Sequence, residues 1–576
     1  MLSAAEIRLL DLLPSTESDD QRAPICIQTR VVPISGNTQF EALSYVWGKK
    51  NEAASIIVDE LQITVTRSLH SALKRIRLSN TKRTLWIDQL SINQNDEKEK
   101  MNQIPLMGQI YSTTSRCLIW LGEPRPDIAH SDAVAALDIL HFMASYEKDK
   151  TPSQAIPPCL ASEMTIAAPL AALGSICVDE NVWWHRIWTL QEAILPSRAD
   201  ILWGVLSISW DEIVRAGRNK PIPPLDRVAK AHRDVVNRLF TQINGIEYAK
   251  QKTEGPLETA FRWSFRQATN THDKVYGFLG LFPKGTLKRA ECCDYRLPLA
   301  SLCAMFTADV VEHDRSLRPI AIWSRCGLPE STPNIPGWAF DIAVTTRQQP
   351  LFYKGEDVNW YLMHHYEWHS ASAQSDIDWS QFQFDQKINS LTLTGCHIDQ
   401  IAFIGDRLDS YSQGVDFVSD SSVCAQILKW YNMAKAFFSC QSESTKRHRW
   451  QDAFWRGLID NVKSDEDLRP QHPATSYDVE LLKEFVYTGK RTSSTLEAMA
   501  TLSHRVMFIT GMGMLGFGPR YLAAQDEVWI LHGGKVPFVL RPQTATEFQC
   551  IGASYVHGIM NGEALSRTDI RLVVLR

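Results

Sequence analysis

The clearest pattern of apolar and polar positions lies between Arg83 and Gly122. Thr84-Leu-Trp-Ile87 is a short unbroken apolar run, suited to a parallel strand buried on both faces. It ends on Asp88, and Gln89, Ser91, Asn93, Gln94 and Asn95 make the next loop polar. Asp96 and Glu99 have capping-box spacing. Met101, Ile104, Met107, Ile110 and Tyr111 then recur near the 3.6-residue period of an amphipathic helix. Pro105 falls inside that helix and predicts a kink. Arg116-Cys-Leu-Ile-Trp-Leu121 is a second buried strand, closed by Gly122. A strand, helix and strand of this length form a right-handed βαβ unit by default.

The same reading extends in both directions. Residues 1–22 form a polar lead-in with one apolar patch, Leu9 to Leu13. Strands are expected at 25–32 and 40–48, a hairpin at 56–65, and a helix capped by Ser68. Helices follow from Ser131 to Tyr146 and from Ala161 to Cys177, and Asn181 to Leu195 reads as one strong helix stopped by Pro196. Ala199 to Trp203 is a further strand. Strands alternating with helices argue for an α/β domain over 23–215. Residues 216–380 are mainly helical, with patterns at 225–248, 257–268, 271–281 and 299–313. Residues 381–500 are mixed, with strands at 391–395 and 399–404, helices at 421–439 and 477–488, and an exposed linker at 441–449. Residues 501–576 hold four short strands between Gly and Pro turns, the pattern of a small β-rich domain.

Composition narrows the class. The 576 residues are 44% hydrophobic and 22% charged, ordinary for globular domains and too many for a single core. A net charge of -5 gives no support to a nucleic-acid binder. No apolar run approaches the length of a membrane span, and the N-terminus lacks a signal-peptide pattern. The 12 cysteines are scattered without paired Cys-x-x-Cys spacing, so neither a zinc ribbon nor a disulfide framework is expected. The expectation is a cytoplasmic protein in a reducing compartment, without a metal site.

Three stretches carry candidate chemistry. Trp184, Trp188 and Glu192 recur every four residues and so share one face of the expected helix. A carboxylate on an aromatic face makes a site if it meets the loop after Asp88; otherwise the tryptophans are core and Glu192 is an edge residue. Asp88, Asn93 and Gln94 follow a buried strand, where open α/β sheets bind ligands, but they equally suit helix capping. Ser44-Tyr-Val-Trp-Gly48 is a loop that could lie against a nucleotide, its glycine permitting close backbone approach. Gly511-Met-Gly513-Met-Leu-Gly516 fits a dinucleotide pattern, yet Phe517-Gly-Pro519 stands where the helix should run, so a glycine-rich turn is expected. The histidines of His364-His365-Tyr-Glu-Trp-His369 lack the zincin order.

Phe40-Glu-Ala-Leu-Ser-Tyr-Val-Trp-Gly48, Leu85-Trp-Ile-Asp-Gln-Leu-Ser-Ile-Asn-Gln94 and Arg186-Ile-Trp-Thr-Leu-Gln-Glu192, in this order and spacing, resemble the heterokaryon-incompatibility (HET) domain of filamentous fungi. Blocks around 272–281, 335–341, 515–520, 536–541 and 555–563 resemble the downstream parts of such proteins. The chain departs from the family in having Gln89 and Ser91 where Ala and Cys are usual. The resemblance implies a role in non-self recognition and regulated cell death. It also implies a remote likeness to TIR domains, and hence a flavodoxin-like parallel sheet with flanking helices. Trp188-Thr-Leu-Gln-Glu192 is similar to the segment holding the glutamate of TIR NAD glycohydrolases.

On that likeness Glu192 is the catalytic carboxylate. Ser44, Trp47, Gly48, Asp88, Asn93, Gln94 and Trp188 line a nucleotide-type pocket, with NAD as substrate and no required cofactor. Self-association or other incompatibility proteins are the implied partners. The rival expectations are a non-catalytic HET module that self-associates and recruits partners, and an accessory protein with a degenerate pocket.

Overall fold

The structure is a computed structural model. It describes residues 2–3, 5–15, 23–35, 38–48, 52–146, 156–177, 180–219, 230–251, 254–323, 334–343, 366, 368–373, 375–407, 420–440, 450–464, 470–492, 505–565 and 569–576. The expected linker at 441–449 and the paired His364 and His365 lie outside these. The chain divides into two compact units. One holds residues 1–285, 291–295 and 345–352, and the other holds 286–290, 296–344 and 353–576.

The first unit is built on a nine-stranded sheet. Its strands are β1 (Glu6–Leu12), β2 (Cys26–Pro33), β3 (Glu41–Tyr45), β4 (Ala53–Val58), β5 (Leu61–Thr66), β6 (Arg83–Trp86), β7 (Arg116–Trp120), β8 (Ala199–Trp203) and β9 (Leu206–Ser209). They lie in the order β5-β4-β2-β1-β6-β3-β7-β8-β9. The run β6-β3-β7-β8 is parallel throughout. On its two flanks β1 and β9 pair antiparallel. The apolar runs thus became the parallel centre of the sheet, as burial on both faces requires.

β1 corrects the sequence reading, which placed its residues in a polar lead-in. Leu9, Leu10 and Leu12 are wholly buried, and β1 joins the β2 side of the sheet to β6. The hairpin β4–β5 was expected. Its two turn residues, Asp59 and Glu60, have φ of 49° and 69°, the left-handed geometry that matches strand twist.

Helix α1 (Arg67–Ile76) buries Leu69, Ala72, Leu73 and Ile76 against Leu43, Tyr45, Leu85, Ile87, Leu118 and Trp120 in one cluster. Its cap is Thr66 rather than the expected Ser68, with Thr66 Oγ1 accepting from Leu69 N at 3.4 Å. Thr66→Ala should therefore cost about 1 kcal/mol in chemical denaturation, and Ser68→Ala should cost nothing measurable.

After β6 comes the single turn α2 (Asp88–Ser91), then α3 (Glu97–Gln103) and α4 (Met107–Thr113). Pro105 breaks the helix as expected, through a 3-10 turn at Ile104–Leu106. Asp96 caps α3, but Glu99 does not close a capping box: its carboxylate takes Arg8 and the Asn93 N–H. On the opposite sheet face from α1, Trp86 meets Tyr111 of α4 edge-on, with ring centroids 5.6 Å apart. Helices α5 (His130–Ser145), α6 (Glu163–Gly174), α7 (Thr189–Ile194) and α8 (Trp210–Arg218) follow. Helices Lys230–Gln251, Pro256–Trp263 and Asp273–Leu279 also belong to this unit, well past the expected boundary at 215.

The second unit centres on β11 (Ser390–Ile404), which the sequence showed as two strands. Register shifts near His397 and Phe403 keep it continuous while it changes partner. Strands β16 (Glu527–Leu531), β17 (Phe538–Pro542), β18 (Glu547–Ala553) and β20 (Ile570–Leu575) return to β11 and close a five-stranded barrel. An odd number of strands cannot close by antiparallel pairs alone, and β18 with β20 supplies the parallel pair. The β-rich part thus takes its central strand from outside 501–576. Gly511 to Gly516 lies at the turn and start of the hairpin joining β14 (Arg505–Thr510) and β15 (Leu515–Pro519), with no helix after it. A cavity beside the barrel, lined by Tyr366, His369, Asp460, Arg505 and Tyr555 among others, measures about 30 Å³. That is room for a water or two, not for a cofactor.

Candidate functional site

Side chains alternate along β3, so Leu43 and Tyr45 join the α1 cluster and Ser44 faces the other way. Ser44 is the penultimate residue of the strand and 1% exposed. On that side lies the segment expected to be a single helix from 181 to 195. It is not one. Asn181 Oδ1 accepts from Trp183 N at 3.0 Å and starts a 3-10 turn over Val182–His185. Arg186 is then extended, with φ −79° and ψ 136°. Ile187 N donates to Gln267 O at 2.9 Å, and Gln267 N donates to His185 O at 2.5 Å. This pairing with a distant segment replaces local helix bonds, and α7 restarts at Thr189. Trp184, Trp188 and Glu192 consequently do not share a face. Trp184 is wholly buried, its indole on Ile176 O at 2.8 Å. Trp188 bonds the Asp273 carboxylate. Glu192 turns to the sheet.

There Glu192 Oε2 meets Ser44 Oγ in a short hydrogen bond. Trp183 Nε1 donates to the same Ser44 Oγ at 2.7 Å. An indole N–H can only donate, so Ser44 Oγ accepts from Trp183, and towards the ionised Glu192 carboxylate, which can only accept, it gives its own proton. With Glu192 ionised the chain of bonds runs from Trp183 to Ser44 to Glu192. Glu192 is 7% exposed, and among the described residues none bonds its Oε1. Burial pushes the Glu192 carboxyl up to about 7, and the neighbouring Asp88 charge adds to this, while Arg186, the Ser44 bond and Arg266 oppose it.

The loop after β6 reaches the same edge. Trp47 Nε1 donates to Asp88 Oδ2 at 2.8 Å, and Gln89 N donates to Asp88 Oδ1 at 2.7 Å. Gln94 Nε2 ties the loop by donating to Asp88 O at 2.9 Å. Tyr45 Oη donates to Gln89 Oε1 at 2.7 Å, and Arg186 Nη1 donates to Tyr45 O at 2.8 Å. Burial raises the Asp88 carboxyl, with Arg186 the chief opposing charge. Two carboxylates and one guanidinium thus share the carboxyl ends of β3 and β6, where ligands bind in open α/β sheets. Asn93 stays apart: its Oδ1 accepts from Asn95 N at 3.1 Å and its own N–H goes to Glu99. Gly48 turns the chain away beyond Trp47, at φ 78°.

Of the residues that sequence reasoning named, the structure joins Ser44 to Glu192, and Trp47 and Gln94 to Asp88, with the Asp88 charge acting on Glu192. That reasoning passed over Trp183, Tyr45 and Arg186, although all three sit in or beside the motifs it used. Arg266 gave no local signal, and Asp273 stood out only within the block 272–281, with no site role; the Gln267 pairing brings that segment in. No group of metal-ligating side chains occurs among the described residues. An open cavity of about 370 Å³ lies further along the sheet, at the carboxyl ends of β7 and β8. Leu121, Glu123, Arg125, Ser175, Glu180, Asn181 and Trp203 line it. No helix among the described residues is long and apolar enough to cross a membrane.

Comparison with known proteins gives the family. The family described as heterokaryon incompatibility protein (HET) matches residues 40–192, from just before β3 to Glu192 itself. The matched segment is a HET domain. A second family, the Het-6 beta-barrel domain, matches residues 441–573, which takes in β16, β17 and β18 and most of β20 but not β11. Over nearly all of its length the chain is similar to heterokaryon incompatibility protein 6, OR allele, of Neurospora crassa. The two are 24% identical over an alignment covering 99% of this chain and 96% of the relative. No solved structure matches.

Proposed function

We propose that this protein acts in heterokaryon incompatibility, and that its first unit does so by cleaving NAD at the nicotinamide–ribose bond with Glu192. The observation that carries the proposal is the buried Glu192 carboxylate at the carboxyl end of β3, with one oxygen held by Ser44 and the other without a bond among the described residues. Two further points support it. Taken in chain order, the parallel strands β3, β6, β7 and β8 lie as 2-1-3-4, the winding of flavodoxin-like sheets and hence of the TIR likeness. The full-length relative also bears an incompatibility name.

The chemistry asks little of the protein. The C1′–N bond breaks with its electron pair leaving on the nicotinamide nitrogen, so a cationic ring departs neutral and needs no general acid. The ribose becomes oxocarbenium-like, as in glycoside hydrolysis. Water then adds at C1′ and releases a proton, giving ADP-ribose. Glu192, accepting hydrogen bonds from the ribose hydroxyls at Oε1, stabilises the developing cation. Trp47, partly exposed and anchored through its N–H on Asp88, offers a ring for stacking; Trp188 is committed to Asp273. NAD is the substrate, and no further cofactor enters.

The test is nicotinamide release from NAD by the purified full chain, dilute and clustered, beside Glu192→Gln with its fold checked by circular dichroism. Release by wild type and a loss of at least about 100-fold in the variant are expected. Silence of the clustered wild type would instead mark a non-catalytic module that self-associates and recruits partners.

A further inference from the structure

Arg266 follows helix Pro256–Trp263, beyond the segment that matches the HET family. Its side chain is 0% exposed. Nη1 donates to Thr189 Oγ1 at 2.6 Å and to Arg186 O at 3.1 Å. Thr189 Oγ1 in turn lies 3.0 Å from Trp183 O and 2.7 Å from Arg186 O. The next residue, Gln267, makes the backbone pairing that opens the helix at Arg186. One guanidinium nitrogen therefore clamps the turn whose two sides carry Trp183 and Glu192, the residues that meet on Ser44.

The rest of the guanidinium is not used for this. Among the described residues, nothing bonds Nε or Nη2, although both are buried. The group lies over the Trp263 ring at 5.0 Å. A buried charge without full pairing is costly, and a neutral side chain could make the Nη1 contacts at lower cost. Retaining the charge points to a use for its field. Arg266 and Glu192 act on one another, each favouring the other's charged form.

We propose that Arg266 is a positioning residue of this site, clamping the turn so that Trp183 and Glu192 converge on Ser44 and supplying the counter-charge when Glu192 ionises. The other groups in this field are Arg186 on the turn, Asp88 after β6, Tyr45 on β3, Tyr111 on α4 and Cys117 on β7. Of these only Arg186 shares the role of cation, and it is also engaged with Asp88. Arg266 is thus the cation that acts on Glu192 and not on Asp88. The functional site then extends past residue 192 to at least residue 267. The inference rests on Glu192 being the working carboxylate, but not on NAD being its substrate.

The experiment uses the full chain with Arg266→Lys, Arg266→Met and Arg266→Gln, each with and without Glu192→Gln. The pH midpoint of Glu192 is read from the thermal midpoint difference between the paired Glu and Gln proteins across pH 4–9. Nicotinamide release is followed in parallel. The neutral variants should raise the Glu192 midpoint by about one pH unit, and Lys should leave it near wild type. If Met does not fold, Gln is read in its place. An unmoved midpoint in the neutral variants, or failure of both to fold while Lys folds, overturns the proposal. A shifted midpoint without nicotinamide release from wild type keeps Arg266 and removes NAD cleavage. Release with an unmoved midpoint does the reverse.

Discussion

Glu192→Gln stabilises the protein at pH 8 and leaves its stability nearly unchanged at pH 4. In the folded protein the Glu192 carboxyl is raised from 4.5 to about 7, chiefly by burial. Below 4.5 the group is protonated both folded and unfolded, and it costs nothing. Between 4.5 and 7 the unfolded chain ionises it and the folded chain does not, so stability falls as pH rises. Above 7 the loss is complete. A shift of this size corresponds to about 3 kcal/mol. Glutamine is a neutral acceptor of the same shape, so Ser44 can still donate to it and Trp183 can still donate to Ser44. The paired proteins should have near-equal thermal midpoints at pH 4 and diverge by several degrees at pH 8, with the variant higher. Equal differences at both pH values would mean that Glu192 is not held in its neutral form.

Gly280→Ala is the second large effect, and it acts on the site from behind. A Cβ at Gly280 would stand 2.2 Å from Gln191 Oε1 and 2.6 Å from Gly108 Cα. Gly108 and Gly280 bring α4 and the end of helix Asp273–Leu279 into backbone contact, so neither side can yield by a side-chain rotation. Gln191 is fixed in turn by its Nε2, which donates to Gly277 O at 2.9 Å. The added methyl must displace α7 next to Glu192. Overpacking of this kind costs about 3 kcal/mol, and it should lower nicotinamide release along with the thermal midpoint. Gly174→Ala is the control, since its Cβ would meet only Val235 at 3.6 Å, an ordinary contact. Equal midpoints for the Gly280 and Gly174 variants would show that the close contact does not govern the packing.

Much of the first unit was legible because its central strands are buried on both faces. Leu85 to Ile87 and Cys117 to Trp120 are apolar runs that few other structures accommodate, and Leu43 and Tyr45 bury the strand around Ser44. Pro105 announced its own break, and the polar residues after Asp88 marked the carboxyl edge of the sheet. What failed was long-range. The 3.6-residue recurrence of Trp184, Trp188 and Glu192 is compatible with one helix, and only Gln267 pairing with His185 and Ile187 opens it. The direction of Trp188 is decided by Asp273, whose block at 272–281 carried no sign of a link to Trp188, and the clamp on Thr189 by Arg266, which has no motif of its own. β1 was missed because its leucines are too few to stand out, and they gain a strand only by lying beside β6. β11 read as two strands because its bulges interrupt the alternation.

The pH dependence of nicotinamide release by the clustered wild-type chain tests the central claim most directly. Glu192 must be ionised to stabilise the ribosyl cation, so kcat/KM for NAD should rise with pH and reach half its plateau near pH 7, where burial places this carboxyl. The profile should vanish in Glu192→Gln. No release at any pH, or release that survives in Glu192→Gln, would contradict the account.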